Sequence, residues 1–196
     1  TGATWKYKYG SGVTLGYSAI SGNGDIQLVS RYSNTKCLYK STDTGNTWST
    51  LAGTNHYWSD LDMSSDGSIM IGAVDANDSN KGAYFSLDGG VTWASNLSGD
   101  CRSVAVTPDG SIMFAMIYND AFKIDVYYSG DGVNWDKLTR FPLSATALNF
   151  AISDDGHITV IANGNGNIIT EDFGNSWHFR SVPGFSSHVA LSYNGA

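Results

Sequence analysis

Four aspartates, four arginines and a set of aromatic side chains are the residues of this chain best equipped for chemistry. Asp60, Asp62, Asp75 and Asp120 stand in or beside apolar, β-rich runs. Two carboxyl groups held roughly 5–9.5 Å apart could act as acid and base in glycoside hydrolysis, though no motif singles out a pair. Arg31, Arg102, Arg140 and Arg180 are all the arginines present. A guanidinium fork pairs bidentately with a carboxylate, so converging arginines would make an anion clamp; scattered ones would be solvated. Tyr32, Tyr57, Trp58, Tyr118, Phe122, Phe141 and Phe185 offer flat apolar faces. Such faces either stack on the C–H surfaces of sugar rings or pack over neighbouring elements. No His/Cys cluster has transition-metal spacing. Neither a Ser-His-Asp arrangement nor a glycine-rich phosphate loop before a helix is present. The expectation is therefore no cofactor and no metal.

The elements that must carry these residues are set by a repeat. Trp5, Trp48, Trp93, Trp135 and Trp177 follow one another at intervals of 43, 45, 42 and 42, and only Trp58 falls outside the series. Each later member ends a similar string: Ser41-Thr-Asp43-Thr-Gly45-Asn-Thr47-Trp48, Ser86-Leu-Asp88-Gly-Gly90-Val-Thr92-Trp93 and Thr170-Glu-Asp172-Phe-Gly174-Asn-Ser176-Trp177. Ser129-Gly-Asp131-Gly132-Val-Asn-Trp135 is one residue short, and Thr1 to Trp5 matches only the second half. Each tryptophan is followed by an apolar run and a turn: Gly22-Asn-Gly24, Ser65-Asp-Gly67, Pro108-Asp-Gly110, Asp154-Asp-Gly156 and Tyr193-Asn-Gly195. Asn-Gly and Asp-Gly between β-rich runs predict hairpins. Further strands are predicted over 26–29, 69–74, 112–117 and 158–161, and again over 37–39, 83–85, 124–128 and 168–169. No helical period appears. Four strands per repeat predict an all-β propeller with four-stranded antiparallel blades, the whole chain (1–196) forming one domain.

The strings resemble the Asp-box, or BNR, repeat (Ser/Thr-x-Asp-x-Gly-x-Thr/Ser-Trp) of the sialidase-like superfamily. The resemblance implies a structural hairpin between third and fourth strands, built on Asp43, Trp48, Asp88, Trp93, Asp131, Trp135, Asp172 and Trp177. The residues supply the reason: Asp bonds nearby backbone N–H groups in tight turns, Gly takes positive φ, and the indole buries a large area. One carboxylate per string is too few for a calcium cage. The resemblance also implies that ligands bind at the opposite rim, where first strands start and second strands join third. Sialidases clamp a carboxylate with three arginines and attack with a Tyr–Glu pair. Here Glu171, inside a box, is the sole glutamate, and the family's Phe/Tyr-Arg-Ile-Pro motif is missing. The chain is thus not a complete sialidase.

Aligned on their turns, the first strands give an apolar column of Ile20, Met63, Val106, Ile152 and Leu191, expected in the core. The alternate column is Ala19, Asp62, Ala105, Ala151 and Ala190, where the lone carboxylate must face a channel or find a donor. Two residues earlier stand Tyr17, Asp60, Ser103, Asn149 and His188, expected to line a central funnel. The ligand-contacting set expected at that face is Trp58, Tyr57, Asp60, Asp62, Arg102, Arg31, Tyr118 and His188.

The strand count gives four complete repeats with partial blades at both ends. That is a five-bladed ring if closed, or a stretch of a larger one, and open blade edges would invite self-association. A formal charge of −7 argues against nucleic acid as a partner. No run of eighteen apolar residues predicts a membrane span. The residues from Thr1 onward show no basic-then-apolar leader, so any signal peptide is expected to have been removed or never to have existed. Cys37 and Cys101 fall in non-adjacent units and are expected as buried free thiols. Sparse charge and abundant Gly, Ser, Asn and Tyr suggest an extracellular or virion-associated protein. The leading expectation is a non-catalytic module that binds glycan or protein through the loop face. The alternatives are a glycoside hydrolase using an aspartate pair and a purely architectural propeller.

Overall fold

The computed structural model describes residues 14–31, 36–118, 124–138, 149–162, 164–186 and 188–191. Trp5 and its partial copy, the turn at Tyr193, Tyr32, Asp120, Phe122, Arg140, Phe141 and the Phe185 side chain lie outside the described part. Sixteen described strands form four antiparallel sheets, each in simple sequence order. Blade I comprises β1 (Leu15–Ile20), β2 (Gln27–Arg31), β3 (Cys37–Ser41) and β4 (Ser49–Thr50). Blade II comprises β5 (Trp58–Met63), β6 (Met70–Val74), β7 (Gly82–Ser86) and β8 (Ala94–Ser98). Blade III comprises β9 (Asp100–Val106), β10 (Met113–Tyr118), β11 (Ile124–Ser129) and β12 (Asp136–Lys137). Blade IV comprises β13 (Asn149–Ile152), β14 (Thr159–Ala162), β15 (Gly164–Thr170) and β16 (His178–Ser186). No helix occurs among the described residues, and none is long and apolar enough to cross a membrane.

The first hairpin of each blade closes on a glycine in the left-handed region, Gly24, Gly67, Gly110 and Gly156, at the positions the turn residues predicted. Successive turns are tied together: Gly22 N–H donates to Ser65 O at 2.8 Å, and Ser65 N–H to Pro108 O at 2.7 Å. The first strands β1, β5, β9 and β13 neighbour one another, so they form the inner wall.

The core lies in the seams between blades. Leu28 and Leu38 pack on Trp58, Leu61, Met63, Met70 and Val74 across seam I/II. Ile71 and Phe85 meet Val104, Val106 and Met113 across II/III, and Phe114, Met116 and Val126 meet Ile161 and Ile168 across III/IV. Each such side chain, fully buried, contributes about 1.5–3 kcal/mol. The outer seams close differently. Lys40 Nζ donates to Gly89 O at 2.6 Å, whereas Phe85 lies so close over Gly132 that a Cβ there would sit 2.4 Å from its ring.

Two expectations are corrected. Ile20, assigned to the core column with Met63 and Val106, is 60% exposed, because no described sheet stands before blade I. Of the two free cysteines only Cys101 is buried; Cys37 is half-buried.

Candidate functional site

The box strings form hairpins at the rim that also carries the first turns. In blade I, Ser41 Oγ donates to Asp43 Oδ1 at 2.8 Å and accepts Gly45 N–H at 2.9 Å. Thr47 donates its N–H to Asp43 Oδ1 at 2.8 Å and its hydroxyl to Oδ2 at 2.7 Å. Trp48 Nε1–H closes the turn on Gly45 O at 3.1 Å. Asp88 and Asp172 repeat the pattern with Thr92 and Ser176. Asp131, in the shortened copy, bonds Asn134 N–H and its amide instead. These donations hold Asp43, Asp88, Asp131 and Asp172 at about 2, below the usual carboxylate range. Every box carboxylate is thereby used up in its own turn. Trp93 alone among these indoles has a buried Nε1 without a hydrogen-bond partner.

At the opposite rim a cavity of about 490 Å³ opens between the starts of the first strands. It is lined by Tyr17, Ser59, Asp60, Asp75, Arg102, Tyr118, Asn149 and His188. β-bulges shape it. Pairing slips between Trp58 and Asp60 on β5, and between Cys101 and Ser103 on β9. The extra residue in each strand, Ser59 and Arg102, is thereby aimed at the cavity.

The same bulge corrects the reading of Trp58. Strict alternation would set it on the channel side with Asp60 and Asp62. The inserted residue turns it instead to the face of Leu61 and Met63. Trp58 is 4% exposed, donates Nε1–H to Thr54 O at 3.0 Å, and meets Tyr84 and Trp93 edge-on. It is a core residue and offers no stacking surface.

Asp60 and Asp62 project from β5 toward β9. Asp60 Oδ2 accepts Ser103 Oγ–H at 2.7 Å and Val104 N–H at 3.1 Å, while Oδ1 accepts Leu61 N–H at 3.0 Å. Asp62 Oδ2 accepts Val106 N–H at 2.8 Å, and Oδ1 accepts Met63 N–H at 2.9 Å. One repeat further round, Asn149 Nδ2 reaches Ser103 Oγ at 3.4 Å and Asn149 Oδ1 accepts Val189 N–H at 3.5 Å. Asp60 and Asn149 of the funnel column thus each satisfy a backbone amide of the next repeat, and Ser103 links the two. Burial pushes the Asp60 carboxyl up against its three donors. Burial likewise raises Asp62 to about 7, with the charge of Asp60 adding and the Val106 and Met63 amides opposing.

Arg102 makes a two-pronged pair with Asp100, Nε to Oδ1 and Nη2 to Oδ2, both at 2.9 Å. It also lies 3.9 Å from Asp75 and 5.5 Å above the Tyr118 ring. Asp75 in turn accepts Asn77 N–H at 2.9 Å. Asp100 was not foreseen, although its place two residues before Arg102 puts both on one strand.

The cavity therefore gathers Asp60, Arg102, Tyr118 and His188 from the expected set. Asp62 lies on the same wall outside the lining, and Tyr57 sits under Lys36 Nζ, 3.1 Å from its ring centre. Arg31 ends β2 with Nη1 donating to Tyr39 Oη at 3.3 Å, and Arg180 is exposed on β16. Neither lines the cavity, so no arginine cluster forms there among the described residues. No described group of three His, Cys, Asp or Glu residues is arranged to hold a metal.

No protein-family model matches this chain, and no curated protein sequence matches it. Solved structures do. It is similar to a chain of the nidogen/laminin complex (TM-score 0.69, 9% identity, covering 91% of this chain and 68% of that one). It is similar to the GH74 enzyme of Niastella koreensis (TM-score 0.63, 22% identity, 86% and 24%). YCF48 from Cyanidioschyzon merolae is a third (TM-score 0.65, 15% identity, 92% and 60%). At these identities the likeness concerns the fold alone: this chain has the β-propeller fold, in four open sheets.

Proposed function

We propose that this is a non-catalytic recognition propeller that binds an uncharged glycan in the 490 Å³ cavity at the mouth of its inner strands. The observation that carries this reading is the state of the cavity's charged groups. Asp60 is tied to three donors, and Arg102 is forked onto Asp100. Groups so engaged position a wall; they neither shuttle protons nor clamp an anion. Tyr17, Ser59, Tyr118, Asn149 and His188 supply the hydroxyl, amide, imidazole and ring faces that polyhydroxylated ligands use. The aspartate-centred hairpins are read as Asp-box repeats with a structural role. The charge-poor composition fits an extracellular or virion-associated setting.

Hydrolysis is the second reading, because Asp60 and Asp75 border one cavity and burial raises the Asp60 carboxyl. A protein ligand at the same face is the third; the nidogen chain was solved in a complex with laminin.

A glycan-array screen of the wild-type chain beside Asn149→Ala and Tyr118→Ala tests the reading. Selective binding, weakened about tenfold or more by either change with circular dichroism intact, is the expected result. Folded protein that binds no glycan would overturn it. Polysaccharide turnover abolished by Asp60→Asn would replace binding with hydrolysis.

A further inference from the structure

The residue just before each box string faces the box of the next blade, and the three seams treat that contact differently. At seam I/II the residue is Lys40, bonded to Gly89 O. At II/III it is Phe85, pressed onto Gly132. At III/IV it is Tyr128, and there the seam does not close: a cleft of about 230 Å³ remains, lined by Phe114, Tyr128, Leu138, Phe173 and Asn175.

A second observation concerns Phe173. It occupies the position after the box aspartate, where the chain must adopt the left-handed conformation. Gly89 fills that position in blade II at φ 67° and Thr44 in blade I at φ 57°, while the far bulkier Phe173 holds φ 56°. A bulky L-residue is disfavoured there, and such outliers persist where the surrounding structure or a ligand site has a use for the side chain. The ring packs at a tilt against His157, 4.1 Å between centroids, and the residue remains 39% exposed at the cleft. Phe173 N–H donates to His157 O at 3.3 Å, which fixes the backbone that presents it. On the far wall Tyr128 and Phe114 stand 6.4 Å apart, and the Tyr128 ring is 37% exposed. Asn175 contributes the polar corner. Its Nδ2 is committed to Asp172 O at 2.7 Å, which leaves Oδ1 to accept from a ligand.

We propose that seam III/IV is a binding site for a small aromatic molecule carrying one hydrogen-bond donor, of phenol size, with its ring between Phe173 and Tyr128 and its donor on Asn175 Oδ1. Three aromatic rings and a leucine favour an aromatic ring over a polyol, through offset and edge contacts. A cleft of this volume has room for one substituted ring. The site lies on the box rim, opposite the glycan cavity, and stands independently of that cavity's function.

The test is an NMR titration of the intact chain with p-cresol, beside 4-methylanisole, whose donor is blocked, and cyclohexanol, which lacks the ring. Saturable shifts at Phe114, Tyr128 and Phe173 are expected from p-cresol, with a dissociation constant on the order of 1 mM. 4-Methylanisole should bind several-fold more weakly, and cyclohexanol should produce no saturable shift. Phe173→Gly removes the ring and relieves the backbone. It should weaken p-cresol about tenfold while the melting temperature stays level or rises. Asn175→Ala should remove the preference for p-cresol over its ether. Absence of saturable shifts up to the solubility limit would overturn the proposal. So would equal binding of cyclohexanol, wild-type affinity in Phe173→Gly, or an unchanged donor preference in Asn175→Ala.

Discussion

Val106 N–H donates to Asp62 Oδ2 at 2.8 Å, so a carboxylate of blade II serves an edge amide of blade III, 44 residues on. The carboxyl stands where the other first strands carry alanine. Burial has raised it to about 7 from an unfolded value of 3.8, so between those values the folded chain binds the proton more readily. Its contribution is therefore fully present below about pH 4 and is lost as pH rises through about 7. Asp60, also raised, acts in the same direction. Urea denaturation is expected to find the chain less stable at pH 8 than at pH 5 by a few kcal/mol. Asp62→Asn should flatten that alkaline decline, and an unchanged slope would refute the assignment.

The acid limb has the opposite sign. Asp43, Asp88, Asp131 and Asp172 sit at about 2 in the folded chain, so their contribution is present above about pH 4 and lost as pH falls toward 2. Asp88→Ala should lower the melting temperature at pH 6 and make the acid transition shallower. A melting temperature equal to wild type at pH 6 would mean that the hairpin bonds contribute nothing.

Trp58 covers Gly72, where an added Cβ would lie 2.3 Å from the indole. Trp58→Ala should cost about 3–5 kcal/mol in denaturant unfolding, as a large aromatic truncation in a core. Gly72→Ala should cost about 1–3 kcal/mol by overpacking. The two changes touch one contact, so their sum should exceed the double mutant's loss. Strict additivity would separate the residues.

Burial pushes the Cys101 thiol far up, whereas Cys37 is half-buried on β3. A thiol reagent at pH 8 should label Cys37 readily and Cys101 only after unfolding. Fast labelling of both in the native state would contradict the buried assignment.

The periodic features were legible in the sequence. The turn glycines and the polar column of Asp60, Ser103 and Asn149 follow from spacing, and the box hairpins from the resemblance that the strings carry. The bulges were not legible, because one extra residue in a first strand leaves the tryptophan interval within its ordinary scatter. That is why Trp58 was expected at the surface and why Arg102 with Asp100 was not paired in advance. Ile20 failed for another reason: a repeat column reports what a blade can bury, while burial also needs a blade in front.

The divergent seams give the blades an order as well as a shape. Lys40, Phe85 and Tyr128 occupy one repeat position, and each meets the box that follows it differently. Blade II grafted behind blade III would set the Gly89–Gly90 backbone against Tyr128, and the carbonyl that Lys40 uses would have no cation. Repeats that look interchangeable in sequence thus behave as numbered parts, and shuffling them should yield chains that form blades but fail to stack.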